Sequence, residues 1–176
     1  MGTCPATCSW PWVRAVTECA VSEPAGNEPT RFWEDLVVGE RFKSRERTVG
    51  EAEIVDFATR YDPQYFHMDP EAAKRSVFGE VVASGVHNLA IWRQLDHEIT
   101  GDIRWICGVA WDDFRWKRAL RAGDTVHVTA ECLSKRESSS DPGRGIAVYR
   151  YRMINQDEAE IFRMDSTNLV ERRPVT

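Results

Sequence analysis

Asp62 and His67 stand at a spacing that can do acid–base chemistry, in the stretch Asp62-Pro63-Gln64-Tyr65-Phe66-His67. On a continuous helix, a separation of five residues would set them about 140° apart around the axis. On a turn that reverses between two helices, they can face each other across a cleft. A carboxylate and an imidazole converging on one water form a general acid/base pair, because one takes a proton while the other gives one. Asp62 also closes a helical pattern. There the helix dipole disfavours negative charge and strengthens a carboxylate as a base. A plainer reading of the same residues is that Asp before Pro is a turn device. The spacing alone leaves both open.

The surrounding elements decide whether the two side chains meet. Ala52, Ile54, Val55, Phe57 and Ala58 form an apolar face that predicts a helix. It stops at Tyr61 or Asp62, because Pro63 disfavours helical backbone in the residue before it. Asp69-Pro70-Glu71 restarts a helix: Asp caps, Pro suits the first position, and Glu complements the dipole. A short turn over 62–68 joins the two. Ser84-Gly85 opens a longer helix with Val86, Leu89, Ala90, Trp92, Leu95 and Ile99 apolar, and Gly101-Asp102 ends it.

Beyond residue 104 the period becomes two. Strands are predicted over 104–116, 125–133, 146–154 and about 159–170, with a polar edge strand over 41–48. A phase slip at Asp112-Asp113 predicts a β-bulge. In the second of these strands Val126, Val128, Ala130 and Cys132 face inward, and Thr125, His127, Thr129 and Glu131 outward. This is an α+β pattern, an antiparallel sheet wrapped around a long central helix.

The chain has 176 residues, 42% hydrophobic and 29% charged, enough for a single buried core. A formal charge of −5 argues against a nucleic-acid-coating protein. No apolar run approaches the roughly 18 residues of a membrane span, and the first thirty residues lack a secretory pattern. A cytoplasmic protein with neither nucleic-acid nor membrane partner is expected. The five cysteines, at 4, 8, 19, 107 and 132, show no metal-ligand spacing. Cys107 and Cys132 read as buried core thiols. Residues 1–30 read as an irregular or disordered extension, on which Trp10, Trp12 and Val13 could still dock, and 31–176 as the folded domain.

The stretch YDPQYFHMDPEAA, from Tyr61 to Ala73, followed by Ala83-Ser84-Gly85-Val86-His87, resembles the MaoC-like dehydratases and R-specific enoyl-CoA hydratases. Phe114-Arg115-Trp116 and Arg121-Ala122-Gly123-Asp124-Thr125 resemble that family's strand entering a Pro-Gly-Asp turn, with Ala122 in place of Pro. The resemblance implies a single hot-dog domain with Asp62 and His67 as the catalytic pair. It further implies hydration of a 2-enoyl thioester, with coenzyme A as carrier, to the (R)-3-hydroxyacyl thioester, or the reverse. No metal or redox cofactor is implied, since coenzyme A enters as part of the substrate. A homodimer or higher homo-oligomer is implied as well. Gln64 replaces the motif's Asn, Tyr65 its Pro and Tyr61 a small residue. These departures bear on the substrate more than on the reaction.

In the family, the N-terminus of the long helix points at the thioester carbonyl. Here that is Ser84-Gly85-Val86, where free N–H groups and the dipole favour developing negative charge. Gly85 permits either close approach of a thioester oxygen or tight helix–sheet packing. Arg115, Lys117 and Arg118, with Arg121, could attract the phosphates of coenzyme A or form a solvated face. His87 reads as a structural hydrogen-bonding residue, and His97 and His127 as surface residues. Trp92, Trp105, Trp111 and Trp116 read as core and interface, with an acyl tunnel as a further use. Two alternatives stand beside hydration. One is a non-catalytic acyl-CoA-binding protein. The other is a thioesterase, against which Asp96 and Glu98 lie too far along the central helix.

Overall fold

The period-two segments fold as one antiparallel sheet in a computed structural model that describes residues 28–174. The long strands are β3 (Trp105–Trp116), β4 (Thr125–Glu137), β5 (Arg144–Asn155) and β6 (Glu160–Glu171). The predicted edge strand is two short pieces, β1 (Arg41–Lys43) and β2 (Arg47–Thr48), both paired with β4. Strand order is β1-β4-β5-β6-β3, so the sheet has edges at β1 and β3. Strict alternation along β5 buries Ala147, Tyr149, Tyr151 and Met153 on one face. The other face carries ion pairs such as Arg150 with Asp165 at 2.7 Å. One dry face and one charged face are what a sheet covered on a single side requires.

The cover is α4 (Gly85–Thr100). Ser84 caps it by accepting the His87 N–H at 3.2 Å, and Ile91, Trp92 and Leu95 are buried against the sheet. α1 (Glu51–Tyr61) adds Ile54 and Ala58 to the same core. This is the hot-dog arrangement, a single α+β layer pair.

Four expectations need correction. The turn over 62–68 contains a helical turn of its own, α2 (Tyr65–Met68), before α3 (Pro70–Ala73) begins. A four-residue helix is too short to show a period. Cys107 is exposed, because β3 is an edge strand with little of the described chain over it. His127 is buried, at 5% exposure, with Ile154 of β5 opposite it in the register and Lys43 and Glu158 close to its ring. The apolar period along β3 does not meet a cover either, for Val109 and Trp111, in phase with Cys107, are both exposed. The bulge does appear, as a register shift between Asp112 and Arg115 with Asp113 at positive φ. Cys132 is buried as expected, and His97 is exposed. The expected extension lies outside the described residues except for 28–30, and so do Cys4, Cys8, Cys19 and the docking of Trp10, Trp12 and Val13. Thr30 and Arg31 already bond to the domain, both donating to the Asp102 carbonyl.

Candidate active site

Asp62 is the C-cap of α1, its N–H still donating to the Ala58 carbonyl at 2.9 Å. Pro63 then turns the chain, and Gln64 becomes the N-cap residue of α2. Gln64 donates its side-chain amide to Asp62 Oδ1 at 2.9 Å, which holds one carboxylate oxygen and leaves Oδ2 for the cleft. Tight turns on both sides of residue 64 therefore set where the carboxylate points.

His67 rides on α2 and is only 7% exposed. Its Nδ1 lies 2.6 Å from the Val82 carbonyl. A carbonyl only accepts, so Nδ1 carries the hydrogen and Nε2 is the nitrogen free for chemistry. Nε2 stands 3.9 Å from Asp62 Oδ2, too far for a direct hydrogen bond. A water about 2.8 Å from each fits that separation. The reversing turn brings the pair together, as its spacing suggested.

The cleft they share has a volume of about 500 Å³, and its lining also includes Phe66, Phe78, Gly85, Asn88, Trp116, Lys117 and Arg118. Lys117 and Arg118 are exposed. Arg115 is not part of this lining; its guanidinium bonds the Phe114 carbonyl and lies 3.8 Å from Asp113. Arg121 is taken up by an ion pair with Glu80. Of the basic group, two residues face the cleft.

Gly85 has a definite reason to lack a side chain. A Cβ there would stand 2.8 Å from Cζ2 of Trp116, so the indole lies directly against the helix start. Close helix–strand packing is thus real at this position. His87 is structural: its Nε2 meets Glu53 at 3.1 Å, and its ring stacks on Phe57 at 4.4 Å. Burial pulls its pKa below the usual 6.5, with the Glu53 carboxylate opposing. Asp96 is buried under Thr100 and Arg93, and burial pushes its pKa up. It does not line the cleft of Asp62 and His67. Among the described residues, no group of three or more His, Cys, Asp and Glu could hold a metal ion. No described helix is long and apolar enough to cross a membrane.

Asn88 is the residue that sequence reasoning passed over. Its signal was available: it follows Gly85 by three positions, which places it on the same face of α4 one turn on.

Comparison with known proteins agrees with this fold. Residues 35–149 match the MaoC-like domain. The chain is 28% identical over 141 residues to the uncharacterized protein YdeM of Bacillus subtilis, covering 79% of this chain and 98% of that one. The crystal structure of a MaoC-like dehydratase from Rhodospirillum rubrum superposes with a TM-score of 0.77 at 36% identity, covering 83% of this chain and 100% of the other. An (R)-hydratase of A. caviae, at 20% identity, shares the fold, with a TM-score of 0.62 over 80% of this chain and 99% of the other. With most of its folded domain matched, the chain belongs to the MaoC-like domain family.

Proposed function

We propose that this protein adds water to a 2-enoyl thioester of coenzyme A, or removes it from the (R)-3-hydroxyacyl thioester. The observation that carries the reading is the facing of Asp62 Oδ2 and His67 Nε2 across 3.9 Å, with Nδ1 anchored to a carbonyl. The oxygen of a water held there attacks the β-carbon while its proton passes to Asp62. The imidazolium of His67 gives the Nε2 proton to the α-carbon, so one H and one OH add across the double bond. Proton exchange between the two groups then restores the pair. Negative charge that develops on the thioester oxygen is met by the Gly85 N–H at the start of α4. The exposed Lys117 and Arg118 attract the phosphates. The reaction requires no metal or redox partner.

The β3 edge supports pairing with a second copy of this chain. Val109 and Trp111 are 53% and 50% exposed, and a groove of about 880 Å³ runs between this strand and α4. A long edge strand with exposed apolar side chains is a template for another strand. The opposite edge is three residues long and carries Arg41 and Lys43. We therefore assign the homodimer contact to β3.

A panel of 2-enoyl-CoA thioesters, followed by loss of the conjugated absorbance, tests the activity. Turnover that falls by about 10²–10⁴ in Asp62→Asn and in His67→Ala is expected. Release of free thiol would indicate a thioesterase instead, and binding without any reaction an acyl-CoA-binding protein.

A further inference from the structure

Asn88 is the polar residue of the cleft for which acid–base chemistry has no use. Its side chain is almost wholly enclosed, at 2% exposure, and it lines the same space as Asp62 and His67. Its backbone is satisfied, since its N–H donates to the Ser84 carbonyl at 3.0 Å. Its side-chain oxygen has no hydrogen-bond partner among the described residues. Folded proteins rarely leave a buried amide oxygen unpaired, and an exception in a ligand cleft points at the ligand. The amide can be turned either way, so it offers a donor or an acceptor to whatever arrives.

The layout of the cleft says which part of a ligand arrives there. Lys117 and Arg118 are exposed and mark the mouth, where phosphates belong. Phe66, Phe78 and Trp116 supply apolar wall. Three residues of helix put Asn88 about 4.5 Å along the axis from Gly85. That is a few bonds beyond a thioester oxygen held at the Gly85 N–H, in the acyl chain near the reacting carbons. A neutral amide suits a neutral group, because the Lys and Arg of the lining both stand at the exposed mouth.

Resting on the hydratase reading, we propose that Asn88 hydrogen-bonds a second, uncharged polar group on the acyl chain, a hydroxyl or a carbonyl oxygen. The substrate class is then polar-substituted enoyl thioesters rather than plain alkyl ones. A plain chain would leave the buried amide unpaired, and sites built around such a group reject ligands that lack the partner.

Two substrates that differ by one hydroxyl test this, 2-butenoyl-CoA and 4-hydroxy-2-butenoyl-CoA. In the wild type, kcat/KM is expected to favour the hydroxylated substrate by at least about 100-fold. In Asn88→Leu that ratio is expected to collapse to one or invert. Asn88→Ala, which removes the amide without adding bulk, serves if the leucine variant fails to fold. An equal ratio in wild type and variant overturns the proposal, as does an equal loss on both substrates. If the wild type turns over neither substrate, hydration itself has failed, and recognition is read from binding of butanoyl-CoA and 4-hydroxybutanoyl-CoA. A tenfold or larger preference for the hydroxylated ligand that vanishes in Asn88→Leu would sustain the role of Asn88. Equal affinities in the wild type would end it.

Discussion

A single hydrogen bond at the residue scale, from His67 Nδ1 to the Val82 carbonyl at 2.6 Å, separates two jobs of one imidazole. His67→Asn can keep a donor toward Val82 while it deletes Nε2. It is expected to melt close to the wild type yet lose turnover as fully as His67→Ala, whereas the alanine variant also melts lower. Gly85 gives a second test. A methyl group there collides with the Trp116 indole, which is 55% exposed and can swing away. Gly85→Ala is expected to shift tryptophan fluorescence and lower turnover, and adding Trp116→Leu should restore packing. His87 gives a third. Its folded pKa lies below 6.5, so below that pH the unfolded chain binds a proton that the folded chain refuses. Its contribution is complete above pH 6.5 and is lost as pH falls through the lowered value. His87→Phe is expected to flatten the acid side of a plot of Tm against pH. The Asp62–His67 pair was legible in the sequence because Pro63 fixes where the chain turns. That Arg115 lies outside the cleft while Lys117 and Arg118 line it was not legible, because a charge run says nothing about which way each side chain leaves a bulged strand.

The site depends at the element scale on caps more than on long helices. The Ser84 hydroxyl holds the first turn of α4, and the Asp69 carboxylate holds α3 through the Glu71 and Ala72 N–H groups. Losing either cap costs about 1 kcal/mol. Ser84→Ala is expected to reduce activity as well as stability, because it loosens the turn that presents Gly85 and Asn88. Asp69→Ala lies beyond His67 and should lower Tm with a smaller effect on rate. Both caps could be read from residue type, because Ser, Asp and Pro have local reasons to stand where they do. The short helix Tyr65–Met68 could not, since its hydrogen bonds close within five residues.

The sheet, the helix and their order were visible in the periods of the sequence at the scale of the whole molecule. Which strand would be left uncovered was not. Alternation tells two faces apart, but strand order decides which of them has a neighbour, and here order puts β3 at an edge. Cys107 was misread on that account. If β3 joins two copies, Val109→Lys together with Trp111→Glu is expected to move the mass measured by light scattering from dimer to monomer. An unchanged dimer would place the contact elsewhere.

The two cations at the mouth of the cleft belong to a chain whose formal charge is −5. At long range such a molecule repels a polyanion such as coenzyme A, and attraction takes over only near Lys117 and Arg118. Salt shortens the reach of both fields to about 10 Å at 0.1 M, which removes the distant repulsion before the close attraction. Capture of a coenzyme A thioester is therefore expected to quicken, or hold steady, as ionic strength rises from very low values toward the physiological range. Further salt would slow it. A steered encounter with a uniformly basic protein would slow from the first addition.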